Sequence, residues 1–275
     1  MPNPTPLPSI AAAGDLLGRS IAQHLGLTFR AVLRGEGVTA ERHSIRLVTG
    51  QPHPFGNFAL IFADADRSGV EGEIDLLGRL EVPAAVLFVA AVAPEIEAHL
   101  RTRGFEAHAP MPAMAVEIDR LKPTSLPPDC ELIQAGVGPQ GAVWEETFAK
   151  GYGLPQPVAA RFSPNRAGVD QTGELALQFF MIVRQGRALA TSALCLQGGL
   201  AGVYCVATLP EERGKGLGAH VTAEPLRRAR ALGYRVGILQ ASKDGEPVYQ
   251  RLGFAQFGSV PLFVRLPGSR KTPEC

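Results

Sequence analysis

The segment that decides the fold of the second half is Val203-Tyr-Cys-Val-Ala-Thr-Leu-Pro-Glu-Glu-Arg-Gly-Lys-Gly-Leu-Gly218. Its apolar first part predicts a strand that ends at Pro210, and a helix is expected to begin near Leu217. The glycine-dense turn between them presents successive backbone N–H groups, and the helix N-terminus adds the positive end of its dipole. Glycine lets an anion approach the backbone because a Cβ atom would block it. The pattern Arg213-x-x-Gly216-x-Gly218 therefore indicates a diphosphate-binding turn.

Two other interpretations of this turn are open from its glycines alone. Gly214-x-Gly216-x-x-Ala219 also fits the dinucleotide fingerprint, which needs an acidic residue about 20 positions later, at the end of the next strand. Tyr234 stands there instead, and the next strand ends at Leu239-Gln240. The other interpretation is a glycine-rich connection without a ligand. The flanking sequence has to decide among the three.

The flanking sequence predicts a fold of the α/β class with a mixed, mostly antiparallel sheet flanked by helices. Alternation and short apolar runs indicate strands, 3.6-residue spacing indicates helices, and Gly186 marks a hairpin turn. The predicted strands are 132–137, 175–183, 188–196, 202–209, 235–239 and 263–266, and the predicted helices are 140–150, 157–162, 217–232 and 246–252.

A second informative segment follows at Gln240-Ala-Ser-Lys-Asp-Gly-Glu-Pro-Val-Tyr-Gln-Arg-Leu-Gly-Phe254. Together with the glycine turn, it resembles the GCN5-related N-acetyltransferase (GNAT) superfamily. Arg213-x-x-Gly216-x-Gly218 matches the family's acetyl-coenzyme A motif, and Tyr249-x-x-Leu252-Gly253-Phe254 matches its closing motif. Ser242 stands where many members have Asn, which puts the strength of that cofactor contact in doubt. The resemblance covers about Asp129 to Leu266.

The resemblance implies acetyl-CoA as co-substrate, with a direct transfer to the amine of a small molecule. In this family, pantetheine amides pair with the free backbone of the strand before the motif, and the diphosphate lies on backbone N–H groups of the turn. Arg213 is expected to stabilise the turn or to face a phosphate, and Ser242 to contact the cofactor arm. The implied cofactor-binding residues are Val206, Ala207, Thr208, Arg213, Gly214, Lys215, Gly216, Leu217, Gly218, Ala219 and Ser242.

The same resemblance implies two catalytic groups. Tyr249 would place its hydroxyl near the thioester sulfur and protonate the departing thiolate, and the backbone N–H of Val206 would hold the oxyanion. An alkylamine is only about one part in a thousand neutral at pH 7, so a base is needed, but the sequence does not identify it. Tyr152 and Glu174 are candidates for the acceptor pocket. The alternative function is a non-catalytic acyl-CoA-binding or regulatory module.

The first half of the chain contains a faint copy of the second. Ala84–Val116 aligns with Gly233–Arg265 at a constant offset of 149, placing Gly104-Phe105 on Gly253-Phe254 and strand Ala85–Ala90 on Tyr234–Leu239. This copy has no counterpart of Tyr249, because Leu100 stands at the aligned position. We therefore predict two GNAT-like domains: a degenerate one at 1–122, a linker at 123–129, a catalytic one at 130–268 and a tail at 269–275. Residues 1–9 are expected to be disordered.

Composition excludes several classes of partner. The net charge is +1 over 275 residues, so no basic field for a nucleic acid is present. Because no uninterrupted apolar run reaches about 18 residues, we expect no membrane span. The N-terminus has four prolines in its first eight residues and no basic region before an apolar core, so we expect no secretory signal. The four cysteines form no C-x-x-C pair and the six histidines show no metal spacing, which predicts no metal and reduced thiols in a cytoplasmic protein. The oligomeric state cannot be predicted from the sequence.

Overall fold

A computed structural model describes residues 10–167 and 176–267 of the chain. These residues form two compact units, each assembled from two stretches of sequence. The large unit contains residues of 10–34 and 111–259, and the small unit contains residues of 35–110 and 260–267. The units differ from the contiguous domains that the sequence predicts. Residues 1–9, which are predicted to be disordered, and residues 269–275, the predicted tail, lie outside the described residues.

The physical reason for the difference is that each half of the sequence ends in a strand that joins the other unit. Residues 113–117, which close the first half, pair with a strand of the large unit at 236–240. Residues 262–265, which close the second half, pair with a strand of the small unit at 84–87. Strand pairing, rather than chain order, therefore determines which residues pack together.

The large unit is a mixed, mostly antiparallel sheet with helices on its faces. Its strand order is β5-β10-β9-β8-β7-β6, and only β9 and β10 are parallel. The strands are β5 (Glu106–Glu117, from residue 111), β6 (Cys130–Ala135), β7 (Ala176–Arg184), β8 (Arg187–Gln197), β9 (Leu200–Thr208) and β10 (Val236–Gln240). The helices are α1 (Ile10–Val32), α4 (Pro139–Tyr152), α5 (Gln156–Ala159), α6 (Leu217–Ala231) and α7 (Glu246–Leu252).

Two apolar layers cover this sheet. On one side, Val221 and Leu226 of α6 pack with Phe180, Leu194 and Val203 of the strands. A second layer joins Leu17 and Ile21 of α1 to Ala115, Leu200 and Ile238. Burial of these side chains removes apolar surface from water, which is the main term that holds the layers together. The N-terminal helix is thus part of the large unit, although the sequence placed it in the degenerate domain.

The small unit repeats the same design with fewer elements. Its strand order is β1-β2-β3-β4-β11, with only β3 and β4 parallel. Helices α2 and α3 pack on it through Val70, Ile74, Leu77 and Leu100. The elements are β1 (Val38–Ala40), β2 (Ser44–Val48), β3 (Asn57–Ile61), α2 (Arg67–Gly78), β4 (Ala84–Phe88), α3 (Pro94–Thr102) and β11 (Ala255–Arg265, from residue 260). The predicted fold class is therefore confirmed in both units.

The internal duplication is visible in the helix ends. Gly104 and Gly253 both have left-handed backbone, at φ 80° and 102°. Just after them, Phe105 N donates to Leu100 O and Phe254 N to Tyr249 O, both at 3.0 Å. Strands β5 and β11 follow at 106 and 255, so the offset of 149 agrees with the structure in this part.

The gapless alignment is wrong at the strand before the helix. Ala84 pairs with Arg265, whereas Gly237 pairs with Val116, the residue that the alignment equates with Arg265. Ala84 and Gly237 are therefore equivalent, and their separation is 153 rather than 149. The first half has four more residues between this strand and the left-handed glycine.

Candidate functional site

Strands β9 and β10 part after a short stretch of pairing, and this opens a slot in the large unit. They pair only at Leu200–Gly202 with Val236–Ile238. From Val203 to Thr208, the described strands offer β9 no partner on this side. Leu239 and Gln240 continue to pair with β5 only. The predicted strand before the glycine turn therefore has free backbone on the side that faces β10.

A β-bulge reshapes β9 within the slot. Thr191 pairs with Ala207 and Ala193 with Tyr204, so Ser192 alone lies opposite Cys205 and Val206. Cys205 has left-handed backbone at φ 51°, a conformation that costs a non-glycine residue about 1–2 kcal/mol. Thr191 Oγ1 donates to Cys205 O at 3.1 Å. The extra residue leaves Val206 without a ladder partner on either strand that borders β9.

The glycine turn leads directly into α6, as the sequence predicts. Gly214 and Gly216 have φ of 78° and 81°, and Gly216 precedes the first helical residue without any side-chain cap. Among the described residues, no acceptor receives the backbone N–H groups of 214–219. The first N–H to find a partner is that of His220, which donates to Gly216 O at 3.0 Å. Six successive donors at a helix N-terminus thus remain available for an anion.

Arg213 holds this turn against the sheet. Its Nη2 donates to Gly151 O at 2.9 Å, and its Nε lies 3.4 Å from Thr208 O. The side chain therefore stabilises the turn, which is one of its two predicted roles. Gly151 makes the contact possible because a Cβ at this position would lie 3.1 Å from the backbone of Thr208.

Lys215 does not direct its ammonium group to the turn. Its Nζ donates to Glu212 Oε2 at 3.0 Å, and Arg184 Nη1 contacts the same oxygen at 3.2 Å. The hydrogen bond from Lys215 and the nearby Arg184 lower the pKa of Glu212. Lys215 therefore contributes only its backbone N–H to the turn.

Slot and turn border one cavity of about 850 Å³. Of the predicted site residues that the structure describes, all but Lys215 line it. Glu174, the other predicted site residue, lies outside the described residues. The predicted residues that line the cavity are Val206, Ala207, Thr208, Arg213, Gly214, Gly216, Leu217, Gly218, Ala219, Ser242, Tyr249 and Tyr152.

Tyr249 is a buried tyrosine in the wall of this cavity. Its side chain is packed against Phe254 and is 7% exposed. The structure gives its hydroxyl no hydrogen-bond partner among the described residues. Burial, and secondarily the neighbouring Tyr152, raise the pKa of Tyr249 well above that of a free tyrosine. This phenol is therefore protonated across the physiological range and suits a proton donor.

Ser242 has a structural bond as well as a place in the cavity wall. Its Oγ accepts a hydrogen bond from Gly245 N at 3.1 Å, within the turn that precedes α7. The hydroxyl proton is not used in this bond and can be donated to a ligand.

Sequence reasoning missed the contribution of the segment between the halves. Pro123, Thr124 and Ser125 line the cavity, although they were predicted to be a linker. Their low hydrophobicity and high proline content gave no signal of a binding role. Asp244, just before α7, also lines it, as do Val248 and Arg251, whose spacing of three places them on one face of α7.

The small unit lacks both features in its described residues. Strands β3 and β4 stay paired from Phe58–Ala85 to Ile61–Phe88, and Val89 N continues the ladder to Ile61 O. The carboxylate of Asp66 accepts a hydrogen bond from Gly69 N at 2.7 Å. The N-terminus of α2 is therefore capped by a carboxylate of the chain itself. A paired strand and a filled helix terminus leave no counterpart of the slot and the turn.

The described residues contain neither a metal-binding cluster nor a helix suited to a membrane. No group of three or more His, Cys, Asp or Glu side chains is arranged to hold a metal ion. None of the described helices combines the length and the apolarity that a membrane span requires. The described cysteines, Cys130, Cys195 and Cys205, are free thiols.

Comparisons with known proteins show which family and which solved structures this chain resembles. Residues 147–254 match the model of the acetyltransferase (GNAT) family. No curated protein matches the chain by sequence. Among solved structures, a GCN5-related N-acetyltransferase from Kribbella flavida is similar at 19% identity and a TM-score of 0.61, over 92% of this chain and 96% of that one.

Two other solved structures are also similar along nearly the whole chain. A GCN5-related N-acetyltransferase from Sphaerobacter thermophilus is 13% identical, with a TM-score of 0.55 over 97% of this chain and 95% of that one. A tandem GNAT protein from the clavulanic acid biosynthesis pathway is 14% identical, with a TM-score of 0.53 over 93% and 96%. Residues 147–254 are therefore a domain of the GNAT acetyltransferase family, within a fold that GNAT proteins share along nearly the whole chain.

Proposed function

We propose that the chain is an N-acetyltransferase that uses acetyl-CoA and acetylates the amine of a small molecule. The observation that carries the proposal is the row of six free N–H groups at the start of α6, directly beside the parted strands β9 and β10. A diphosphate requires such a row of donors, and an extended arm with amide groups requires a free strand edge.

The residues of the cavity fit the parts of acetyl-CoA. The diphosphate would lie on the backbone of Gly214–Ala219, where the left-handed glycines allow close approach. The amides of the pantetheine arm would pair with β9 at Val206–Thr208, which has no partner strand on that side. Ser242, with its remaining hydroxyl proton, would contact the same arm.

In the proposed reaction, the amine nitrogen attacks the thioester carbonyl, a tetrahedral intermediate forms, and the carbon–sulfur bond then breaks. The N–H of Val206, which the bulge leaves out of the ladder, would hold the oxyanion. Tyr249 would give its proton to the thiolate of the leaving CoA. Burial raises the pKa of Tyr249, so the phenol is protonated before the reaction but is a weaker acid than a free tyrosine, and its proton is expected to move only as the thiolate forms.

The carboxylates next to the turn are poor candidates for the base. Arg187 is ion-paired with Glu211, and Lys215 and Arg184 hold Glu212. The pKa of Glu211 is lowered by its own backbone N–H and by Arg187, and that of Glu212 chiefly by Lys215. A lowered pKa weakens a base, so we expect the amine to lose its proton to solvent water rather than to Glu211 or Glu212.

The acceptor would enter beside Tyr152, which lines the cavity at the C-terminal end of α4. A small amine is favoured over a nucleic acid because the net charge of +1 provides no basic field. Free cysteines agree with a cytoplasmic protein.

The test combines binding with turnover. Thermal unfolding is measured with and without acetyl-CoA, and a hundredfold excess over Kd is expected to add about 2.7 kcal/mol to the free energy of unfolding. Release of free CoA thiol is then followed with a panel of small amines. Stabilisation together with amine-dependent thiol release supports the proposal. Stabilisation without release by any amine favours the non-catalytic acyl-CoA-binding module, and no stabilisation contradicts both functions.

A further inference from the structure

Part of the cavity wall is formed by three elements that are distant in the chain: the segment at 122–125, the glycine turn and α7. We name Thr124, Ser125, Gly216 and Arg251 the mouth, and all four line the cavity. Ser125 O lies 3.9 Å from the position that a Cβ on Gly216 would take. The backbone of Lys122 donates to Leu252 O at 3.0 Å. The segment at 122–125 therefore runs from the end of α7 to the glycine turn.

Hydrogen bonds to α6 fix this segment in place. Arg227 Nη2 donates to Lys122 O at 3.0 Å. Thr124 Oγ1 lies 3.1 Å from His220 Nδ1. These bonds hold the residues on both sides of Pro123 against α6, which preorganises this part of the mouth.

Arg251 is the cation of the mouth whose donors are not used. Arg213 bonds the carbonyls of Gly151 and Thr208, and it therefore has few donors left for a ligand. Arg251 is exposed and has no acceptor among the described residues. The hydroxyl of Ser125, which is also exposed, has no described partner either. Donors without partners at a cavity rim are available to an anionic ligand.

We propose that Arg251, assisted by the Ser125 hydroxyl, binds the phosphomonoester on the ribose of coenzyme A. This inference rests on the proposed function and adds a specificity-determining residue to it. Coenzyme A carries this phosphate in addition to its diphosphate. The diphosphate is matched by backbone N–H groups of the turn, which leaves the second phosphate for a side chain of the mouth. A guanidinium can bind a phosphate with two parallel hydrogen bonds, which makes arginine well suited to this site.

The consequence is discrimination between coenzyme A and its analogue without the ribose phosphate. Dissociation constants for CoA and 3′-dephospho-CoA are measured by calorimetry with wild type, Arg251→Gln, Ser125→Ala and the control Lys243→Gln. Lys243 is exposed close to the same helix but does not line the cavity. Lys243→Gln therefore removes one positive charge, as Arg251→Gln does, without changing the cavity wall. We expect wild type to bind CoA about tenfold or more tightly than dephospho-CoA, since a hydrogen bond to a charged group contributes roughly that factor.

Arg251→Gln is expected to weaken CoA binding by about tenfold while leaving dephospho-CoA unchanged, so the difference between the ligands disappears. Ser125→Ala should reduce the difference by a smaller factor, and Lys243→Gln should preserve it. Equal binding of both ligands by wild type, or a difference that survives Arg251→Gln, overturns the inference while the proposed function stands. If wild type binds neither ligand, the inference and the proposed function are both wrong.

Discussion

The hydroxyl of Ser192 on β8 donates a hydrogen bond of 2.7 Å to the carbonyl oxygen of Val221 on α6. Val221 is four residues before Pro225, which lies inside the helix and has no N–H to offer. Both Ser192 and Val221 are fully buried. Ser192 therefore replaces the missing helical donor and satisfies a carbonyl that would otherwise be buried without a partner.

The Ser192→Ala variant is expected to be less stable than wild type. Removing the hydroxyl leaves the carbonyl of Val221 buried and unpaired, which costs about 1–3 kcal/mol. Urea denaturation of both proteins gives this difference in the free energy of unfolding. Because Pro225→Ala restores a helical N–H for Val221, the Ser192 substitution should cost less in that background. Additive effects of the two substitutions would show that the compensation is absent.

Stability should fall in mild acid because of a buried histidine. His24 of α1 is 3% exposed, and its Nδ1 lies 2.7 Å from the hydroxyl of Tyr204. Burial lowers the pKa of His24 from 6.5 to about 4. The unfolded chain therefore binds more protons than the folded one between these values, and stability decreases as the pH falls through this window.

The magnitude is roughly 1.4 kcal/mol per pH unit within that window, or about 3 kcal/mol in all. Urea denaturation across this pH range should show the slope in wild type and a flatter profile in His24→Gln. His108→Gln, which removes an exposed histidine, is the matched control. An unchanged slope in His24→Gln would show that other groups determine the acid sensitivity.

Replacing Tyr249 by Phe tests the proton donor. Loss of a general acid lowers kcat by about a hundredfold, and the KM for acetyl-CoA should change little because the ring remains in the wall. Tyr234→Phe is the control, since Tyr234 packs against the core but does not line the cavity. Steady-state kinetics of all three proteins decide the point. Full activity of Tyr249→Phe removes the donor role.

The pH profile offers a second test of the same residue. Because the pKa of Tyr249 is raised, the donor stays protonated beyond the ordinary tyrosine range. The alkaline limb of kcat that depends on Tyr249 should therefore lie above about pH 10. A limb that falls near or below this value in wild type, and is lost in Tyr249→Phe, would contradict the raised pKa.

Gly216→Ala should weaken acetyl-CoA binding more than it weakens the fold. Its φ of 81° is strained for alanine by about 1–2 kcal/mol, and the added methyl group would stand at the turn. Gly186 in the β7–β8 hairpin has φ 79° and open space around it, so Gly186→Ala carries the same strain without touching the cavity. Calorimetry should show reduced binding in the first variant only. Equal binding by both would contradict a role for the turn backbone.

The glycine turn and the closing motif could be predicted from sequence because their properties are local. The left-handed φ of Gly214 and Gly216, and the start of α6 at Leu217, depend on neighbouring residues. The same holds for the duplicated helix ends at Gly104 and Gly253. Local steric preferences act within a few residues, so a single sequence carries this information.

The sequence by itself determined the mixed α/β class, the position of the glycine turn before α6 and the presence of the Tyr249 phenol in the closing motif. Only the tertiary structure decided that residues 113–117 and 262–265 pair outside their own halves, that β9 bulges at Cys205, and that Thr124, Ser125 and Arg251 reach the cavity. It also decided the pairing of Ser192 with Val221 and of His24 with Tyr204. These contacts join residues far apart in the chain, and their free energy depends on burial and strand register, which no local pattern specifies.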